Sequence, residues 1–104
     1  MREIKFRFWN NIVGRMSKEY TLKELHDQEV NFNLLQPLQY TGLKDKNDKE
    51  IFEGDIIETP KGKAEVTFRI GCFYVSTASN YRLGGWSQDS IEIIGNKYEN
   101  KSLI

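Results

Sequence analysis

The stretch that decides the fold lies at residues 39–57, where the sequence reads QYTGLKDKNDKEIFEGDII. Apolar and aromatic residues flank a charged run, which is the pattern of two strands joined by a hairpin turn. Asn47 and Asp48 stand at the tip, and among residues other than glycine they adopt a positive φ most readily. Gly54 allows the backbone to turn sharply into the next strand, and Asp55 can accept hydrogen bonds from N–H groups of that turn. The stretch therefore predicts short strands joined by tight turns.

The same pattern continues to residue 98. Short runs of alternating apolar and polar residues are separated by glycine, proline and asparagine, as expected for strands and turns rather than helices. Five short strands in about 60 residues indicate a small barrel of the SH3-like or OB-like kind. We therefore assign residues 38–104 to a small β-barrel of one of these two kinds, the SH3-like kind being the one that the family resemblance described below implies, and expect a mainly β protein.

The N-terminal segment predicts a strand followed by one short helix. Residues 4–9 alternate between an apolar face and a face with two cations and a tryptophan, which is the period of a half-buried strand. Thr21 and Glu24 have the spacing of a capping box at a helix start. Residues 1–37 are therefore expected to form an extension that packs against the barrel through its apolar face. The two faces are Ile4, Phe6 and Phe8 on one side and Lys5, Arg7 and Trp9 on the other.

Length and charge limit the class of protein. The chain has 104 residues, which fit one compact domain with or without a small appendage. It carries 15 basic and 15 acidic side chains. This balance argues against a protein that works mainly through non-specific attraction to nucleic-acid phosphates. The single cysteine, Cys72, cannot form an intramolecular disulfide, and the charged N-terminus has no apolar stretch of an export signal. No apolar run reaches the ~20 residues of a membrane span. We expect a cytoplasmic protein.

Two side chains that often serve in catalysis occur once each, namely His26 and Cys72. A nucleophile needs a base beside it, and nothing in the sequence brings these two residues together. We interpret His26 as a surface or boundary residue of the helix and Cys72 as a small apolar residue of a strand. The sequence predicts no catalytic residue and indicates that the chain is not an enzyme.

Carboxylates are dense around the predicted hairpin tip, but lysines alternate with them. Such mixed charge is typical of a solvated loop. The calcium-loop pattern fails, because Lys49 stands at a ligand position and Glu50 replaces the glycine that follows it. There is neither a zinc spacing nor a glycine-rich phosphate loop. We therefore expect no metal and no cofactor. The carboxylates are Asp45, Asp48, Glu50, Glu53 and Asp55.

The face with Lys5, Arg7 and Trp9 is the most specific signal for a binding surface. Cations that alternate toward one surface beside an aromatic ring are typical of strands that follow a single-stranded nucleic acid and stack a base. The alternative is an ordinary solvent-facing strand whose tryptophan covers the end of the barrel. Single-stranded nucleic-acid binding is therefore a second hypothesis for the function.

Three segments together are similar to one protein family: QYTGLKDKNDKEIFEGDII, the opening MREIKFRFWN and the closing IEIIGNKYEN. On these segments the chain resembles the YopX family of phage and prophage proteins. The resemblance implies a mostly β fold with an SH3-like barrel and a bacteriophage or prophage origin. It supplies no catalytic or binding residues. The chain differs at Asp48, where relatives often have glycine, and in the tail at residues 100–104, which lacks the proline often found there.

Together these observations predict a cytoplasmic accessory protein, encoded by a phage or prophage, that acts as a protein-binding or assembly module. Its expected partner is a phage or host protein, and homo-oligomerisation is compatible with the sequence. The alternative is a module that binds single-stranded nucleic acid through Lys5, Arg7 and Trp9.

Overall fold

The computed structural model describes residues 4–26, 35–69, 72–76, 80–82 and 87–100. The predictions for the tail beyond residue 100, and for the side chains of His26 and Cys72, lie outside what it describes. Its elements, in chain order, are β1 (Lys5–Asn10), β2 (Arg15–Met16), β3 (Tyr20–Thr21), α1 (Leu22–His26), β4 (Leu35–Lys44), β5 (Glu50–Phe52), β6 (Asp55–Thr59), β7 (Gly62–Arg69), β8 (Cys72–Ser76), β9 (Asn80–Arg82), a 3₁₀-helix (Gln88–Ser90) and β10 (Glu92–Asn96).

The strands form two five-stranded sheets, and the described neighbours are antiparallel. In the first sheet, β1 pairs with β4 on one side and with β2 and β3 on the other, while β5 pairs with β4. The second sheet has the order β10-β6-β7-β8-β9. The protein is mainly β, with a curled half-barrel sheet and, among the residues described, a single α-helix. The predicted fold class is confirmed.

The apolar core lies on the inner face of the second sheet and extends to β5. Alternate residues of β6 and β7 point inward because successive side chains of a strand lie on opposite faces. The segment that leads into β10 closes this core. Its buried members are Ile51, Ile57, Ala64, Val66, Phe73 and Ile91, with Ile93 packed against them.

The N-terminal strand contacts the barrel through the face that the sequence assigned to cations. Arg7 lies opposite Leu38 in the β1–β4 register, and Leu38 is buried. On the other face, Phe8 is buried against the edge of the Tyr20 ring at 6.0 Å, whereas Ile4 is 42% exposed. The prediction that Ile4 helps to pack the extension onto the barrel is therefore wrong. Long cationic side chains can face inward when carboxylates meet them there.

Some local predictions agree with the structure, and two differ from it. The capping box is present, since Thr21 N–H donates to Glu24 and Glu24 N–H donates to the Thr21 hydroxyl. The predicted division at residues 37 and 38 falls inside β4, whose residues on both sides pair with β1. The other difference is β9, which the strand patterns did not predict, because three residues at a sheet edge give no alternation that a sequence pattern can detect.

Candidate functional site

Lys5 is the first residue of the predicted nucleic-acid face, and its ammonium group is held by carboxylates. Its Nζ lies 2.5 Å from the nearer carboxylate oxygen of Glu50 and 3.5 Å from that of Glu19. It also lies 5.0 Å from the centre of the Tyr40 ring. Only 13% of the side chain is exposed. The charge of Lys5 is therefore neutralised within the protein.

Arg7 forms a buried ion pair with Asp55. One of its terminal nitrogens donates to Asp55 Oδ1, and its guanidinium carbon lies 4.6 Å from the centre of the Phe52 ring. Asp55 also accepts a hydrogen bond from Phe52 N–H at 2.8 Å through Oδ2. The side chains of Arg7 and Asp55 are 19% and 3% exposed. Because Arg7 belongs to β1 and Asp55 to β6, the pair joins the two sheets.

Trp9 completes this face by packing on Tyr98. The two ring centres are 5.6 Å apart and the planes are inclined by 30°. Tyr98 follows β10, so this contact also joins β1 to the second sheet. We call the contacts of Lys5, Arg7 and Trp9 with Glu50, Asp55 and Tyr98 the seam. The structure thus brings the three predicted residues together on one face, but their groups are engaged by the protein itself.

Asp55 titrates unusually high for an aspartate. Burial raises its pKa to about 6, from an ordinary 3.8, although the Arg7 charge and the Phe52 N–H act in the opposite direction. Asp45 adds a smaller raising effect because it carries the same charge. A buried carboxylate with a raised pKa can mark a catalytic site, but both oxygens of Asp55 already accept hydrogen bonds from Arg7 and Phe52. Its role in the described geometry is to join the sheets.

Gly54 takes the conformation predicted for the turn before β6. Its φ is +88°, in the region that favours glycine. A Cβ built on it would lie 3.0 Å from Tyr98 Cε2 and 3.7 Å from Leu38 Cδ2. Asp55, the next residue, accepts the Phe52 N–H across this turn as predicted. Gly54 is therefore needed both for the turn and for the close approach of Tyr98.

The charged tip of the β4–β5 hairpin is only partly as predicted. Asp48 has a positive φ of 64°, whereas Asn47 does not have a positive φ. Asp45 is fully buried and not solvated, so the prediction of a fully solvated run is wrong there. Its Oδ1 accepts the N–H groups of Asn47 and Lys49, and its Oδ2 accepts that of Ile93 in β10. Asp45 thus fixes the tip to the second sheet.

The pKa of Asp45 follows from the same contacts. Burial opposes its charge, but the N–H groups of Ile93, Lys49 and Asn47 outweigh burial and lower the pKa below the usual 3.8. Its local bonds form an Asx turn, in which an aspartate accepts an N–H two residues on. The spacing from Asp45 to Asn47 could have indicated that turn. The bond from Ile93 could not be read from the sequence, because the two residues are 48 positions apart.

A polar cleft of about 580 Å³ opens beside the seam. Its walls come from β1, the residue before β3, the β4–β5 hairpin, β6, β10 and the segment after β10, and they carry both signs of charge. Among the residues that the structure describes, no three histidine, cysteine or acidic side chains are placed to hold a metal ion. The charged side chains at the wall are Arg7, Glu19, Lys44, Asp48, Lys49, Glu50, Asp55 and Glu99.

The tip of the β1–β2 hairpin, residues 10–15, is the most exposed apolar feature described. Ile12 is 72% exposed and Val13 is 62% exposed. Two adjacent β-branched residues between asparagine and glycine are an unusual turn composition. We call residues 10–15 the hairpin tip.

Comparisons with known proteins agree on the family and the fold. The family model described as YopX protein matches residues 5–104. The chain belongs to the YopX family. A YopX-family assignment agrees with the resemblance of the three segments. The crystal structure of protein EF1440 from Enterococcus faecalis is similar to this chain, with a TM-score of 0.71, 25% sequence identity and 99% of each chain covered. No curated protein matches the chain.

The described helices of this YopX-family chain are short. None of them has both the length and the apolar character that a membrane-spanning helix requires.

Proposed function

We propose that the chain is a phage- or prophage-encoded accessory protein of the cytoplasm that works as a protein-binding or assembly module. The observation that supports this function is the division of its surface groups. The cations of β1 are held in the seam by carboxylates of the same chain, while adjacent apolar side chains at the hairpin tip are open to solvent. Buried apolar contacts supply most of the binding energy of protein interfaces.

The module is not expected to catalyse a reaction. In the cleft, the polar groups of Arg7 and Asp55 are engaged with each other, and the ammonium of Lys5 satisfies Glu50. Nucleophilic catalysis needs a nucleophile beside a base, and the described residues at the cleft wall include no histidine, cysteine, serine or threonine. Binding without chemistry is the simplest role for such a surface.

An affinity experiment tests the proposal. The tagged chain is incubated with a nuclease-treated lysate of the cells that encode it, and retained proteins are identified by mass spectrometry. A retained protein is then purified and titrated against the chain by calorimetry. We expect a one-to-one or symmetric complex that survives nuclease treatment. Retention that disappears when nucleic acid is digested would contradict a protein-binding function.

Single-stranded nucleic-acid binding remains the second hypothesis. It requires Lys5 and Arg7 to contact phosphates, and each would first have to leave its carboxylate partner. Removing Arg7 from Asp55 would leave a buried carboxylate unpaired, which costs several kcal/mol, on the order of 3–5. This cost is the physical reason for ranking the second hypothesis below the first.

A further inference from the structure

We propose that the hairpin tip is the contact element, and that it inserts Ile12 and Val13 into an apolar pocket with an acidic rim on a partner protein. The proposal rests on the proposed protein-binding function and specifies where and how the partner is held.

Hydrogen bonds within the tip organise its backbone. The side-chain oxygen of Asn10 accepts the N–H of Ile12 at 2.9 Å and that of Val13 at 3.1 Å. Gly14, with a φ of +68°, donates its N–H to the Asn10 carbonyl at 2.9 Å. Little conformational entropy remains to be lost on binding, so an apolar contact made by this turn retains most of its free energy.

The base of the hairpin is fixed in the same way. Ser17 N–H donates to the Phe8 carbonyl at 2.8 Å, and Phe8 N–H donates to the Ser17 hydroxyl at 2.8 Å. Phe8 itself is buried. The exposed pair therefore projects from a rigid support rather than from a loose loop. Rigidly held apolar side chains that enter a pocket are typical centres of binding energy in interfaces.

The charge of the residues around the hairpin tip indicates which charge the rim of the partner's pocket carries. Residues 10–18 contain Arg15 and Lys18 and no acidic side chain. Arg15 is exposed, and Lys18 is 3.9 Å from Glu24 and largely solvated. Complementary charge at the edge of an interface accelerates association and excludes wrong partners. A pocket for Ile12 and Val13 is therefore expected to carry carboxylates where Arg15 would meet it.

Two other kinds of binding partner fit the hairpin tip less well, namely a membrane surface and a second copy of the chain. A membrane surface would be held by two aliphatic side chains and few cations, without the tryptophan or tyrosine that favours the lipid interface. A second copy of the chain offers the cleft beside the seam, but that cleft is lined mainly by charged and amide side chains. An apolar tip gains little from such walls. The exposed apolar side chains and the basic residues beside them therefore favour a different protein with an apolar pocket as the binding partner.

Photo-crosslinking locates the contact. A benzoyl-phenylalanine is placed at position 12, and in a matched variant at position 61, which is exposed on the β6–β7 turn. Both chains are irradiated in the nuclease-treated lysate. We expect position 12 to capture one protein that position 61 does not. Capture of the chain by itself from position 12 would overturn the proposal, and so would equal capture from both positions.

Titration of the purified captured protein completes the test. The I12S/V13S double variant should bind at least about tenfold more weakly than wild type. Leu22→Ser, at another exposed apolar site, should bind as wild type does. Arg15→Glu should lower the association rate several-fold at low salt, whereas Lys61→Glu should not. All four variants alter exposed side chains, so their melting temperatures should stay near that of wild type.

The outcomes separate the two proposals. Wild-type affinity in the I12S/V13S variant would overturn the hairpin-tip contact while leaving the protein-binding function in place. Failure of any purified protein to bind the unmodified chain would overturn both. Tip-dependent binding to phosphatidylglycerol vesicles, with no bound protein, would replace the protein partner by a lipid surface and so contradict the proposal.

Discussion

Arg7 in β1 and Asp55 in β6 are 48 residues apart in the sequence and form an ion pair that is almost wholly buried between the two sheets. The guanidinium lies over the Phe52 ring, and its buried Nε has no hydrogen-bond partner among the residues that the structure describes. A buried pair of this kind contributes less through net attraction than through the penalty for losing one partner. It therefore fixes how the first sheet sits on the second.

The raised pKa of Asp55 predicts how stability depends on pH. The folded value of about 6 lies above the ordinary 3.8, so the folded protein binds a proton more tightly than the unfolded chain. The resulting stabilisation is fully present below about pH 4 and is lost as the pH rises through about 6. The free energy of unfolding should therefore increase by about 1 kcal/mol from pH 7 to pH 5 through this group.

Urea unfolding of wild type and of Asp55→Asn at pH 7, 6 and 5 measures that increase. The asparagine variant should be less stable at each pH but should lack the increase in the free energy of unfolding. Subtracting its pH profile from that of wild type removes the contribution of the titratable groups that both proteins share. Asp45 and Glu50 have lowered pKa values, so they lose stabilisation only as the pH falls below their usual 3.8 and 4.5. Parallel pH profiles for the two proteins would rule out the raised pKa.

Gly54 should be more sensitive to a methyl group than Gly14. Both have positive φ, but a Cβ at Gly54 meets Tyr98 at 3.0 Å, whereas a Cβ at Gly14 meets nothing within 4 Å. Gly14→Ala should destabilise by about 1 kcal/mol through backbone strain alone, and Gly54→Ala by about 1 kcal/mol more. Chemical denaturation of the two variants gives the comparison. Equal losses would mean that Tyr98 moves aside freely.

Asp48 is expected to be a site where glycine stabilises. It holds a φ of 64°, and its carboxylate makes only weak contacts, 3.9 Å from Lys44 Nζ and 3.4 Å from Gln88 Nε2. Asp48→Gly should raise the free energy of unfolding by up to about 1 kcal/mol, because glycine adopts this conformation without strain. Asp48→Ala is the matched control and should lower it. A glycine variant less stable than wild type would show that the contacts of the carboxylate contribute more than the backbone strain costs.

The local features of the fold could be predicted because each depends on neighbours in the sequence. Thr21 and Glu24 form the capping box, Gly54 takes a positive φ, and the alternation in β1 does separate two faces. Which face of β1 meets the second sheet was not predictable, because it depends on a carboxylate 48 residues away, at Asp55. The apolar side of an amphipathic strand is the side that meets the core only when no buried group of opposite charge pairs with its polar side.

The candidate contact surface shows the same limit. That Lys5, Arg7 and Trp9 share one face followed from the strand period, but their ion pairs and ring contact depend on residues brought together by the two-sheet arrangement. Asp45 was missed as a buried anchor because mixed charge in a turn usually faces water. The apolar pair at residues 12 and 13 was visible in the sequence, but its exposure was not.

The paired cations predict weak binding to nucleic acid. Fluorescence anisotropy of a labelled oligothymidylate should show no saturable binding at tens of micromolar protein in low salt, which corresponds to a dissociation constant above about 10⁻⁴ M. Lys5→Ala should not change that result. Salt-dependent binding that weakens when Lys5 is removed would instead favour the second hypothesis, in which this face contacts phosphates.

A double-mutant cycle on Arg7 and Asp55 tests most directly the claim that their ion pair joins the two sheets. Arg7→Met should lower the free energy of unfolding by about 3–5 kcal/mol, because it leaves the Asp55 carboxylate buried and unpaired. Asp55→Asn should lower it less, because it removes a carboxylate whose charge is already disfavoured by burial. The double variant should be more stable than the sum of the losses by about 2 kcal/mol. The exposed pair Lys46 and Glu92, 3.4 Å apart, should couple by less than about 1 kcal/mol in the same measurement. Losses at Arg7 and Asp55 that add within about 0.5 kcal/mol would contradict the ion pair as the link between the sheets.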